Sequence, residues 1–319
     1  MTPITLKVRV AARQISGQDI VLLDLVSADG STLPPFEAGA HIDVHLPGDI
    51  VRQYSLCSDP SDRTHYRIGV LQDPASRGGS IAVHRHLQPG VVVTIGAPRN
   101  LFPLDSGTGK VYLLGGGIGV TPMVAMAHTL QRLGRSFEFH YNARSQARAA
   151  LLAEVQGADF SDKLVLHFDE DAASGPADPA AILHAAPPDA QVYVCGPKGY
   201  MDWIIAAARK QGFPDTRIHF EYFQSEVDKG GERFVVVARS SGREVSVAPD
   251  ESIAQALLRL GIRVQVSCEQ GVCGTCLCNV VEGTPDHRDA YQTDEEKAAN
   301  DQITVCCSRS HTERLVLDI

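Results

Sequence analysis

Cys268-Glu269-Gln270-Gly271-Val272-Cys273-Gly274-Thr275-Cys276 sets three thiols at C-x4-C-x2-C spacing, and Cys306 follows after 29 intervening positions. A short loop can wrap a small inorganic core only if neighbouring turns supply three ligands and a distant segment the fourth. That is the spacing of plant-type [2Fe–2S] sites. Gly271 and Gly274 let backbone N–H groups approach the sulfurs, where hydrogen bonds stabilise a reduced, more negative cluster. A structural zinc site is the competing reading, but zinc knuckles pair two short Cys-x2-4-Cys units and here one ligand is remote. Cys306 is preferred as the fourth ligand because it ends the strand-like run Ile303-Thr304-Val305. Cys307, Cys278 and Cys57 read as buried small apolar residues.

Outward from the loop, Arg233–Arg239 and Arg243–Val247 read as a hairpin and Ile253–Leu260 as a short helix, so a module spans residues 233–319. Ahead of it, Ser225–Glu232 is polar, charged and glycine-bearing, the composition of a flexible linker. Residues 106–224 alternate: strand Val111–Leu114, helix Met123–Leu133, strand Phe137–Tyr141, helix Ala147–Val155, strand Leu164–Phe168, helix Pro179–Ala185, strand Gln191–Val194, helix Tyr200–Gln211. Such an order is the signature of an open parallel sheet. Residues 1–105 carry short runs, Leu6–Ala11, Ile20–Leu25, His41–Leu46, Tyr66–Val70 and Val91–Ile95, divided by Gly/Pro turn clusters. They predict a small antiparallel barrel. The expected fold class is therefore multidomain: an antiparallel β-barrel, an α/β parallel-sheet domain and an α+β module around the cysteines.

Two further sets of residues carry chemistry. Gly115-Gly116-Gly117-Ile118-Gly119-Val120-Thr121-Pro122-Met123 follows an apolar strand and opens a helix, where glycines admit a pyrophosphate and the helix N-terminus favours negative charge. The spacing is not G-x-G-x-x-G, so the turn gains force from its companion Cys195-Gly196-Pro197, at the end of another strand. In the barrel, Arg52-Gln53-Tyr54-Ser55-Leu56 offers a cation, an aromatic face and a hydroxyl, which suits a phosphorylated aromatic cofactor. Arg77-Gly78-Gly79-Ser80 is a second phosphate-type turn.

Composition narrows the classes. A net charge of −9 opposes a nucleic-acid footprint. The longest apolar runs have strand dimensions, so no membrane span is expected, and Met1–Lys7 lacks the apolar core of a secretory leader. Eight cysteines are too few for a disulfide scaffold in a chain this long, which fits a reducing cytoplasm. No H-E-x-x-H pattern occurs among the twelve histidines, which sets a metal-dependent hydrolase aside, and His84-Arg85-His86 reads as solvent-facing. Residues 226–319 hold 16 Asp/Glu against 10 Lys/Arg, so the cysteine module is acidic enough to steer toward a basic partner.

Taken in order, these motifs resemble the phthalate dioxygenase reductase family, within the ferredoxin–NADP reductase-like superfamily. Pro34–Ala40, His219-Phe220-Glu221, Asp286-His287-Arg288-Asp289 and Cys306-Cys307-Ser308-Arg309 add to the likeness, which covers essentially the whole chain. It implies an FMN-binding barrel over 1–105, an NAD-binding domain over 106–224, a linker over 225–232 and a β-grasp ferredoxin over 233–319. Implied FMN contacts are Arg52, Gln53, Tyr54, Ser55, Val70, Arg77, Gly78, Gly79, Ser80 and Phe223. Gly116, Gly117, Gly119, Thr121, Pro122, Cys195, Gly196 and Pro197 would meet NADH. Ser55, Thr121, Cys195 and Glu221 would stand beside the reacting rings. Cys268, Cys273, Cys276 and Cys306 would hold the cluster. The family's usual threonine or asparagine is Gln53 here. The expected acceptor is a separate Rieske-type oxygenase, a dioxygenase or demethylase of aromatic substrates; a cytochrome P450 or other monooxygenase partner and a redox sensor are the alternatives. Asp169-Glu170-Asp171 favours NADH by pairing with a ribose 2′-hydroxyl, whereas Arg144 would favour the 2′-phosphate of NADPH.

Overall fold

The computed structural model describes residues 4–48, 50–76, 78–171, 174–223, 228 and 230–319. They form two compact units that divide after Phe223.

The first unit opens with a near-closed antiparallel barrel. Its strands are β1 (Thr5–Ile15), β2 (Ile20–Ser27), β3 (Ala40–Leu46), β4 (Ile50–Ser55), β5 (Tyr66–Leu71), β6 (Val92–Gly96) and β7 (Arg99–Asn100), with helix α1 (Gly79–His86) before β6. The sheet runs β4-β3-β6-β1-β2-β5, β7 pairs with β3, and a bridge from Leu56 to Ile68 brings the two ends together. Along β3, Ala40, Ile42, Val44 and Leu46 fill the core, while His41, Asp43 and His45 alternate to the other face.

A five-stranded parallel sheet follows in the same unit. Its elements are β8 (Val111–Gly116), α2 (Val120–Arg132), β9 (Phe137–Ala143), α3 (Leu152–Gly157), β10 (Leu164–Phe168), α4 (Pro179–Leu183), β11 (Gln191–Cys195), α5 (Lys198–Lys210) and β12 (Ile218–Glu221). The order is β10-β9-β8-β11-β12. β8 is buried at every position, as a central parallel strand covered on both faces must be. α2 packs into one core shared with the barrel, and α5 covers the opposite face. The expected helix over 147–155 is broken: a 3-10 turn spans Gln146–Arg148, and Leu151 takes φ 56 before α3 begins. The barrel overrides local propensity there. Gln18 N donates to Ala147 O at 2.7 Å and Leu151 N donates to Ser16 Oγ at 2.9 Å, tying this stretch to the β1–β2 turn.

The second unit holds β13 (Phe234–Ala238), β14 (Arg243–Val247), α6 (Ile253–Arg259), β15 (Leu277–Glu282), β16 (Pro285–Asp286), α7 (Asp294–Ala299), β17 (Gln302–Thr304), β18 (Arg309–Ser310) and β19 (Arg314–Leu317). Its main sheet runs β14-β13-β19-β15-β17, with α6 in its core. Of the stretch read as a linker, 225–227 and 229 lie outside the described residues. The rest is held: Arg288 Nη1 donates to the carbonyls of Asp228 (2.5 Å) and Gly230 (2.6 Å), and Arg309 Nη2 donates to that of Glu232 at 2.8 Å. Among the described residues no helix is long and apolar enough to cross a membrane.

Candidate cofactor and coenzyme sites

The chain leaves β8 toward β9 on one side and returns to β11 on the other, so the strand order reverses between β8 and β11. Ligands of open α/β sheets bind outside the carboxyl ends of the strands at such a reversal. Both glycine turns lie there. Gly115 is in register with Cys195, and Cys195 with Glu221, so the three form a row across the strand ends. A Cβ on Gly119 would stand 2.4 Å from the backbone carbon and oxygen of Cys195. Only glycine lets the start of α2 press so closely on the second turn. Gly117 has φ 55 and nothing near its missing Cβ, which leaves its face open to a ligand. Pro122 sits in the first turn of α2, where its missing N–H costs nothing.

Three helices begin at glycine-bearing turns, α1, α2 and α5, and none has a side-chain cap or an acid in its first turn. By contrast, Asp178 caps α4, and capping boxes of Ser252 with Gln255 and Thr293 with Glu296 close α6 and α7. Uncapped N–H groups are the donors an anionic ligand would satisfy.

Thr121 is buried and donates its hydroxyl proton to Ile118 O at 2.9 Å, leaving an oxygen that can accept but a proton already committed. Its methyl meets the barrel, since a Cβ on Gly69 would lie 3.0 Å away. Cys195 is 0 % exposed, and burial together with the nearby Glu221 carboxylate raises its thiol well above the usual range. It is a packing thiol in its protonated form, not a nucleophile. Ser55 Oγ donates to Glu221 Oε2 at 3.4 Å. Burial pushes the Glu221 carboxyl up to about 8, against a smaller lowering by Ser55. A hydroxyl and a carboxyl that exchanges its proton near neutrality thus stand at the sheet edge beside β4.

On β4, alternation puts Arg52 and Tyr54 on one face and Gln53 and Ser55 on the other. Arg52 lies along the start of α1: a Cβ on Gly79 would be 2.5 Å from its Cγ and 2.7 Å from its Nε. Gly78, at φ 91, caps that helix. Cation and helix start therefore converge as a phosphate site requires, and the phosphate of FMN fits this donor set. Ser80 Oγ accepts from Asp73 N at 3.1 Å. Arg77 lies outside the described residues. Val70 is a core residue whose carbonyl meets His84 Nε2 at 3.0 Å, so His84 is half-buried and bonded, unlike exposed Arg85 and His86. Phe223 packs against the shared core. Gln53 is separated from Arg52 and stands opposite Asp43, its buried Nε2 without a partner.

Sequence reasoning missed His41. It is 3 % exposed, lies across from Ser55, and has no partner for either ring nitrogen; burial lowers it to about 4. His45 stands four residues on, an H-x3-H spacing, but on an extended strand that separates the pair by roughly 13 Å.

In the second unit all four expected cluster thiols are buried and meet. Cys268 stands beside Cys273 and Cys306, and Cys306 beside Cys276, giving the chain of contacts 273–268–306–276, with Cys307 also beside Cys306. Among the described residues no three His, Cys, Asp or Glu side chains converge as around a single ion. A two-iron cluster asks for something different, two thiolates per iron. Amides of Gln270 and Val272 donate to Cys268 Sγ, each at 3.4 Å. Cys307 lies beside Cys306 and also meets Thr304 Oγ1, at 3.2 Å, and Gly271. Cys278 Sγ donates to Cys276 O, and Cys57 Sγ to Arg67 O.

A family model described as a 2Fe-2S iron-sulfur cluster binding domain matches residues 236–311. The chain is 48 % identical over 316 residues to vanillate O-demethylase oxidoreductase of Pseudomonas sp. (strain HR199 / DSM 7063), covering 98 % of this chain and 100 % of that protein. Among solved structures it resembles phthalate dioxygenase reductase, a modular structure for electron transfer from pyridine nucleotides to [2Fe–2S], with TM-score 0.78 and 35 % identity over 99 % and 98 % of the two chains. It also resembles an intact type IV self-sufficient cytochrome P450 monooxygenase, with TM-score 0.85 and 35 % identity, matching 99 % of this chain and 41 % of that longer one.

Proposed function

The chain belongs to the phthalate dioxygenase reductase family, and from that premise we propose that it draws electron pairs from NADH through FMN and delivers them singly, by its own [2Fe–2S] cluster, to a separate Rieske-type oxygenase. The observation that carries this is the pairing of two different devices in one chain. One unit has uncapped helix starts at glycine turns on a strand-order reversal; the other has four buried thiols in one chain of contacts. When bound, FMN supplies the conversion between a two-electron donor and a one-electron cluster.

The chain's own residues orient and insulate. Arg52 and the start of α1 would hold the FMN phosphate, and Tyr54 would offer its ring as a stacking face. The glycine turns would seat the coenzyme pyrophosphate. Ser55 would hold a hydrogen bond at the flavin ring, and Glu221 behind it would take up or return a proton, since burial pushes its carboxyl up to about 8. Asp169 and Glu170 are exposed at the end of β10, their amides bonded to the carbonyls of Ala143 and Arg144; that supports NADH over NADPH.

Likeness to vanillate O-demethylase oxidoreductase over that protein's whole length favours an oxygenase that acts on a methoxylated or otherwise substituted aromatic ring. The P450 likeness keeps a haem partner as the second reading. Buried free thiols and a nicotinamide donor favour the cytoplasm. The test is an anaerobic NADH titration of freshly purified protein, after flavin identification by chromatography and iron and sulfide counts. FMN, two irons and two sulfides per chain, with flavin and cluster bands bleaching together, are expected. Zinc without sulfide, or a cluster that stays oxidised while the flavin bleaches, would refute the reading.

A further inference from the structure

The glycines of the coenzyme crevice are needed by a side chain of the protein itself. A Cβ on Gly116 would lie 2.7 Å from Cδ1 and 3.0 Å from Cε1 of Tyr200, and one on Gly196 would lie 2.9 Å from Cδ1 of the same ring. That second Cβ would also stand 3.0 Å from Gly116 Cα, so the two turns touch backbone to backbone with the tyrosine beneath both. Gly116 has φ −110 and ψ 119, a conformation any residue adopts. Its lack of a side chain answers chiefly to the Tyr200 ring, with Pro197 Cδ next at 3.2 Å. The Tyr200 hydroxyl donates to Asn142 Oδ1 at 2.9 Å, and buried Asn142 is in register with Gly116 on the neighbouring strand. One residue of α5 thus ties together the carboxyl ends of β8, β9 and β11.

We propose that Tyr200 is a positioning residue for the nicotinamide coenzyme: its ring sets the gap between the two glycine turns, and its hydroxyl locks that gap to β9. The inference rests on the reading that NADH binds at these turns. The oriented N–H groups of α2 and α5 belong to separate loops, and grip a pyrophosphate together only if their spacing is fixed before it arrives. A phenol wedged under two glycines supplies that spacing with a rigid side chain. Tyr200 need not touch the coenzyme to do so.

The experiment follows flavin reduction by NADH in stopped flow, beside reduction of the same protein by dithionite. Tyr200→Phe keeps the wedge and loses the lock, and its apparent KM for NADH should rise roughly three- to tenfold, the weight of one part-buried hydrogen bond. Tyr200→Leu loses both and should raise KM further, with a smaller fall in limiting rate and dithionite reduction unchanged. Gly116→Ala should be impaired by collision with the ring, and Gly116→Ala combined with Tyr200→Leu should bind NADH better than Gly116→Ala alone. KM within twofold of the parent in both Tyr200 variants would overturn the inference. So would a double variant no better than Gly116→Ala, or a KM that moves only in step with loss of thermal stability. If Tyr200→Leu does not fold, Tyr200→Phe decides alone: a raised KM supports the lock and an unchanged one overturns it. Failure of NADH to reduce the parent flavin would sink the underlying reading instead, so the two failures are distinguishable.

Discussion

The cysteine loop and the glycine crevice both depend on glycine, but for different physical reasons. In the loop, Gly271 and Gly274 have φ 70 and 66, and a Cβ on Gly274 would fall 2.3–2.7 Å from atoms of the Tyr291 ring. Backbone conformation and space both demand glycine there. In the crevice, Gly116 and Gly119 have ordinary φ values of −110 and −64, and space alone demands it. The loop's glycines shape a nest within one stretch of chain. The crevice's glycines let loops from different strands, with the Tyr200 wedge beneath them, interlock. A glycine motif in a sequence thus reports close approach without saying what approaches.

The widest gap between the two regions should appear when a ligand is removed. Cys306→Ser should lose the cluster outright, read as lost iron, sulfide and visible absorbance, because Cys306 stands between Cys268 and Cys276. Cys307→Ser should keep it, since that thiol stands off the 273–268–306–276 chain, beside Cys306 and Thr304. A cluster-free Cys307→Ser would instead exchange their roles.

Adding a single methyl should come next. Gly274→Ala should destabilise the second unit by about 1–2 kcal/mol for the left-handed backbone and about 1–3 kcal/mol for the collision. Gly119→Ala should cost the first unit only the collision, about 1–3 kcal/mol. Thermal unfolding of each measures the difference, and equal losses would erase the distinction between strain and space.

On the flavin side, Arg52→Ala removes a cation but no backbone requirement. It should weaken FMN retention roughly ten- to a hundredfold, the range for a charge-assisted hydrogen bond, as measured by flavin release on dilution. Retention equal to the parent would place the phosphate elsewhere.

The smallest effect concerns Glu221. Its folded pKa of about 8 lies above the ordinary 4.5, so its contribution to stability is complete below about pH 4.5 and is lost as pH rises through 8. Glu221→Gln should therefore flatten the fall in Tm between pH 5 and 8.5 by roughly a few degrees. A parallel pH profile in the variant would show that the carboxyl does not exchange its proton in this window.

Much of the molecule was legible in the chain because its determinants are local. Strand and helix periods reflect neighbouring residues, and a loop that wraps four thiols writes three of them into nine positions. Other features had no local signal. The helix expected over 147–155 breaks because Ser16 and Gln18, over a hundred residues earlier, take its hydrogen bonds. His41 showed nothing as a letter and becomes conspicuous only when burial strips both its nitrogens of partners.

By itself the sequence determined the order of barrel, parallel sheet and cysteine module, the C-x4-C-x2-C spacing and the glycine-bearing helix starts, since each follows from dihedral freedom and spacing along one segment. Only the tertiary structure decided that the two turns meet at the strand-order reversal, that Tyr200 lies beneath both, and that Ser55 reaches Glu221. Those are contacts between residues far apart in the chain. Packing and desolvation create them, and neither exists until the chain has folded.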